Sequence, residues 1–162
     1  MSATPPSSQH LAGRYGRILA QLTELFHGYR GTPCDEIARM ATITALLQHK
    51  MPHFFWTGFY RLEAGQLIVG PYHGPLACAV LKPPKGVCWQ GMRDRKTIIV
   101  PDVQAFEGHV ACDERSRSEI VVPVREPAGN VVGVLDVDSD QPDAFSDVDR
   151  QGLEAIVELV YA

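Results

Sequence analysis

Leu11, Tyr15, Ile18, Leu19, Leu22, Leu25 and Phe26 recur at three- and four-residue steps, the spacing that lines one face of a helix. Gly28 and Gly31 end that pattern. Thr32 and Pro33 restart it, as N-cap and first position of a second helix whose inward stripe is Ile37, Met40, Ala41, Thr44 and Leu47. From Phe54 the period shortens to two. Strands are predicted over 54–61 and 66–70 on either side of a Glu63-Ala64-Gly65 turn, which makes a hairpin. Further short strands are predicted over 76–81 and 97–100, with a short helix over 86–93 between them. Residues 101–117 follow neither period, and a long loop inside a compact domain tends to carry function. Two more strands, 118–124 and 130–138, join across a Glu126-Pro127-Ala128-Gly129 turn. Ser146, with Asp149 three residues on, caps a last helix bearing Val148, Ile156, Val157 and Val160.

Helices at both ends of an antiparallel run of about six strands define one α+β domain over 9–162, behind a disordered leader at 1–8. Net charge is -4 without a basic cluster, which argues against nucleic acid or an anionic membrane as partner. The polar N-terminus and the lack of a membrane-length apolar run lead to a cytoplasmic expectation. Cys34, Cys78, Cys88 and Cys112 then read as cytosolic thiols: buried, catalytic or metal-binding rather than permanently bridged.

Asp136 and Asp138 lie two apart in their strand, so they share a face with Val132 and Val134; Glu119 lies near the start of the neighbouring strand. Such a group is either a solvated strand end or an enclosed acid cluster in which the carboxyls raise one another's pKa. In FFWTGFY, Trp56, Gly58 and Tyr60 occupy one strand face and Phe55, Thr57 and Phe59 the other. The first set is either ordinary packing or an aromatic wall for a small ligand. Cys78, Cys88, Cys112 and His109 could in number close a zinc site, but no C-x2-4-C pair supports one. A redox set tolerates any spacing that folding brings together. Cys112, in the loop beside His109 and Arg115, has the locally basic setting that favours thiolate, while Cys34 reads as packing.

The stretches FFWTGFY, LIVGPYHGPLACAVL, KGVC, VPDV, GHVACDERSRSEIVVPV and GVLDVDSDQPDAFSDVD closely resemble the free methionine-(R)-sulfoxide reductases, a GAF-domain family, from about Trp56 to Asp149. The resemblance implies a single GAF domain that needs no cofactor or metal. It implies that Cys112 attacks the sulfoxide sulfur, that Cys78 is the main resolving thiol and that Cys88 is an auxiliary one. Trp56 would face the substrate methyl, Glu119 and Asp138 would engage the sulfoxide oxygen, Asp136 would hold the substrate, and Tyr60 would wall the pocket. Thioredoxin is the implied reductant, and a homodimer stays open. Trp89 departs from the small residue common after KGVC and places a bulky indole beside Cys88. The alternative is a non-catalytic sensory GAF domain that binds a small ligand, although a sensor has no need of these three cysteines.

Overall fold

The computed structural model describes residues 7–30, 34–110 and 112–162. Helices α1 (Ser8–Gly28) and α2 (Glu36–Lys50) lead into strands β1 (Trp56–Glu63), β2 (Gln66–His73) and β3 (Val80–Leu81). Helix α3 (Val87–Asp94), strands β4 (Ile98–Val100), β5 (Ser118–Arg125) and β6 (Val131–Ser139), and helix α4 (Asp147–Val157) complete the order. The strands form one antiparallel sheet in the order β3-β2-β1-β6-β5-β4. The two most completely buried of the long strands, β5 and β6, thus lie inside the sheet beside β1. Among the described residues no helix is long and apolar enough to cross a membrane.

Alternation along the strands divides the interior in two. On one face Phe59, Ile120, Val122, Leu135 and Val137 meet the buried stripes of α1, α2 and α4. On the other, Trp56, Tyr60, Val121 and Val134 meet α3 and the loops around it. The three long helices thus brace the sheet from behind. The opposite face is left for a recess covered mainly by loops.

Several expectations shift in detail. Ser8 already lies in α1, whose N-cap Ser7 accepts from His10 N at 3.3 Å, and the rest of the expected leader, 1–6, lies outside the described residues. Gly31, Thr32 and Pro33 also lie outside them; α2 begins at Glu36, where Asp35 accepts from Ala38 N at 2.9 Å. Leu25 and Ala41 face solvent and Ile43 takes an inward place. The expected 76–81 strand is reduced to Val80–Leu81 because side chains claim the backbone before it. Trp56 Nε1 donates to Pro75 O at 3.1 Å and Tyr60 OH to Cys78 O at 3.0 Å. Phe55 precedes β1 and does not keep the alternation of Thr57 and Phe59; it packs on the recess side. Val132 joins the helix-side core instead of the Val134 face, next to a register irregularity at Val124/Arg125 opposite Gly133 and Val131. An extra residue in one strand reverses the facing of its neighbours.

Candidate active site

The register of three central strands assembles the acids. Glu119 pairs with Asp138 across β5 and β6, while Trp56 and Gly58 of β1 pair with Asp138 and Asp136. All of these side chains therefore rise from the same face. Glu119 and Asp136 are 5% and 7% exposed, so the solvated-strand-end reading is set aside. Burial, then the charge of Asp136 and of Asp138, pushes the Glu119 carboxyl well up; burial and Asp138 do the same to Asp136. Burial raises Asp138 to about 6 against the opposing hydrogen bond from Ser116 Oγ. Three acids in one low-dielectric recess cannot all ionise, so the cluster stores protons near neutral pH. Asp136 Oδ1 is buried without a hydrogen-bond partner.

An aromatic wall stands beside the acids. The Trp56 ring stacks with Tyr60 at 5.9 Å and with Tyr72 at 5.4 Å, centroid to centroid. Gly58 permits this: a Cβ there would lie 2.4 Å from Tyr72 Cβ and 2.5 Å from the Trp56 ring. Phe55 adds a further wall, with the Arg115 guanidinium 4.9 Å from its ring centroid. Arg115 is in turn held by Asp113, whose carboxylate accepts from its backbone N, Nε and a terminal guanidinium nitrogen at 2.9, 3.0 and 2.7 Å. Thus the turn after Cys112 is anchored to the start of β1.

Cys78 and Cys112 are joined in a disulfide with Cα atoms 5.5 Å apart, within the usual range for a bridge. Cys112 lines the recess, and the bridge ties the loop after β2 to the loop before β5. The hydrogen bonds from Trp56 and Tyr60 place the Cys78 loop. Leu76 and Val110, 86% and 40% exposed, form the apolar rim. Cys88 is a free, buried thiol at the start of α3, hydrogen-bonded to Asp136. Burial and the nearby acids raise its pKa well above the usual thiol value. Cys34 is free and lies outside the recess. With two of the four ligands of the zinc set bonded to each other, that set is not formed here. Cys88 Sγ and one oxygen each of Glu119 and Asp136 do lie within 4.8 Å of one another, the only such group among the described residues.

The recess therefore brings together all eight residues marked by sequence, with Cys78 entering through its bridge to Cys112. Trp89 does not crowd it. Its indole is buried away from the recess lining and donates to Leu81 O at 2.9 Å, so it ties β3 to α3. Sequence reasoning missed Phe55, Tyr72 and Ser116. Ser116 and Phe55 lie outside regular alternation, so no period marks them. Tyr72 lies beyond the expected end of β2 at residue 70, and recognising that the hairpin ran longer would have found it.

A six-stranded antiparallel sheet with helices behind it and a loop-covered recess in front is the architecture of the GAF domain, and residues 35–161 match that family. The GAF domain-containing protein A of Dictyostelium discoideum is 40% identical over 148 residues, covering 91% of this chain and 90% of its own. The free methionine-R-sulfoxide reductase of Escherichia coli is 36% identical over 138 residues, covering 85% of this chain and 83% of the relative. The X-ray structure of free methionine-R-sulfoxide reductase from Neisseria meningitidis in complex with its substrate superposes with a TM-score of 0.82 at 31% identity, covering 99% and 90% of the two chains. This chain belongs to the free methionine-R-sulfoxide reductase family of GAF-domain proteins.

Proposed function

We propose that the protein reduces free methionine (R)-sulfoxide to methionine with its own thiols. One observation carries the reading: the Cys78–Cys112 bridge closes on a recess that holds three proton-storing carboxyls. Sulfoxide oxygen leaves readily only when protonated. In the reduced enzyme Cys112 thiolate attacks the sulfur while Glu119, paired with Asp138, protonates the oxygen. Methionine departs and Cys112 is left as sulfenic acid. Cys78 thiol then displaces water and forms the disulfide. An external dithiol resets the pair, and thioredoxin, at about −270 mV, is the class of donor proposed.

The same geometry supports a role for each remaining wall. Trp56 receives the substrate methyl, with Tyr60 behind it. Asp136, with one oxygen unpartnered and buried, accepts the free ammonium. Cys88 serves as an auxiliary thiol only by leaving Asp136, since its raised pKa makes it a weak nucleophile where it sits.

The test is methionine release from each free sulfoxide epimer with a dithiol supplied. The expected result is turnover of the (R) epimer and little of the other. N-acetylated substrate should be turned over at least about 10²-fold less well, because a site built to bond a group strongly rejects analogues lacking it. No release from either epimer would overturn the reading; equal turnover of the acetylated compound would remove Asp136 from its place.

A further inference from the structure

A buried acid that gives up a proton in every cycle needs a way to recover it. Glu119 is such an acid, with a side chain only 7% exposed. Among its neighbours, Asp136 and Asp138 of β6 are fellow members of the cluster, with raised pKa values of their own. Cys88 of α3 and Tyr60 of β1 hold their protons more tightly still than usual, through burial and the same acids. Asp113 is committed to Arg115, and Lys85, ahead of α3, is exposed.

His109 differs from all of them. Its Nδ1 lies 3.8 Å from Glu119 Oε2 and is buried without a hydrogen-bond partner, yet the side chain is 17% exposed. The ring therefore spans the distance between the buried carboxyl and the surface. Burial lowers its pKa below the usual 6.5, so at neutral pH the ring is neutral, with one nitrogen free to accept a proton and the other to donate one. It also belongs to the loop that carries Cys112, three residues before it.

We infer that His109 conducts protons from solvent to Glu119 between turnovers, acting through that carboxyl and not on the substrate. The inference rests on the reductase reading above. Cys112 loses its thiol proton to solvent and its thiolate supplies the electron pair that reduces the sulfoxide; the S–O bond of the substrate breaks and oxygen ends on Cys112. Glu119 delivers one proton to that oxygen and is left as carboxylate. Solvent protonates His109 at its outer nitrogen; the ring and the carboxylate, then oppositely charged, close their 3.8 Å separation to hydrogen-bond length, and Nδ1 passes its proton to Glu119. Water leaves when Cys78 thiol closes the disulfide, and the external dithiol returns two electrons and two protons.

His109→Gln in the full chain tests this, with His109→Asn as a second variant should the first fold poorly. At pH 7, fully reduced variant should release its first methionine within about 3-fold of the unsubstituted rate, because Glu119 begins protonated. Steady-state turnover, with dithiol raised until the rate no longer depends on it, should fall by about 10²-fold. Imidazole in the buffer should restore it in proportion to concentration. Unchanged steady-state turnover would overturn the inference. A slow first turnover with no response to imidazole would overturn it too, since His109 would then only shape the recess. If the unsubstituted protein releases no methionine, the reductase reading fails first and takes the relay with it.

Discussion

Trp56 serves the site with both parts of its side chain. The indole lines the recess, while the ring N–H holds the Pro75 carbonyl and so sets the loop that ends in Cys78. Tyr60 repeats the arrangement through the Cys78 carbonyl itself. Wall and thiol are thereby one assembly, in which the aromatic pair positions the Cys78 loop. The thiols themselves should separate by role. Cys112→Ser should abolish even a single turnover, because a hydroxyl near neutral pH is a far weaker nucleophile. Cys78→Ser should release about one methionine per enzyme in a burst and then stall at sulfenic acid. Cys34→Ser should change little, as Cys34 lies outside the recess. Rapid-quench counting of methionine without external reductant reads all three variants. A burst that persists in Cys112→Ser and is lost in Cys78→Ser would exchange nucleophile and resolver.

The site is shaped by strands, but those strands are braced by helices on the far side of the sheet. The contact of α1 with α4 is unusually close. Asp149 accepts from Tyr15 OH and from Ser146 N and Oγ, each at 2.8 Å, so the expected capping box is joined to α1 by a buried hydrogen bond. Gly152, one turn on, lies beneath the Tyr15 ring: a Cβ there would come within 2.3 Å of it. That geometry sets two effects against each other in Gly152→Ala. Helix propensity favours alanine by about 1 kcal/mol. Overpacking against a ring that cannot retreat costs about 1–3 kcal/mol, and should win. Chemical denaturation should therefore show the variant to be less stable; a gain in stability would mean that α1 shifts freely over α4.

Across the whole molecule the acid cluster sets a pH dependence. Glu119, Asp136 and Asp138 hold protons in the folded state that the unfolded chain would release. Their stabilising contribution is fully present below about pH 4 and is lost as pH rises through the folded values. Asp138, raised to about 6, accounts for the first part of the loss. His109, with its lowered pKa, works in the opposite direction, but only below about pH 6.5, where the unfolded imidazole takes up its proton. Between pH 6.5 and 8 the net change from these groups is a fall. The melting temperature of the oxidised protein should drop over that window, by about 2–4 °C for each kcal/mol lost in a domain of this size. Asp136→Asn should flatten the slope, and calorimetry at a series of pH values measures both. A profile that is flat in the unsubstituted protein would mean that the recess stays hydrated and the acids ionise freely.

Periodicity and turn residues were enough to place the long helices and strands, though not all of their ends, because a buried face imposes its spacing on the chain wherever a regular element packs. Ser146 and Asp149 could be read as a cap for a similar reason: both partners lie within one turn. The two-residue step from Asp136 to Asp138 likewise put both acids on one face before any tertiary contact was known. Whether that face was open or enclosed depended on what lay across from it, and only the register of β1 and β5 on β6, with α3 above, made it an enclosed recess. The pairing of Cys78 with Cys112 reached the sequence reading through family resemblance; their separation of 34 residues has no local physical consequence. Phe55, Ser116 and the place of His109 were likewise tertiary decisions. These residues sit in loops, where direction is set by the partners that folding supplies and not by any repeat along the chain.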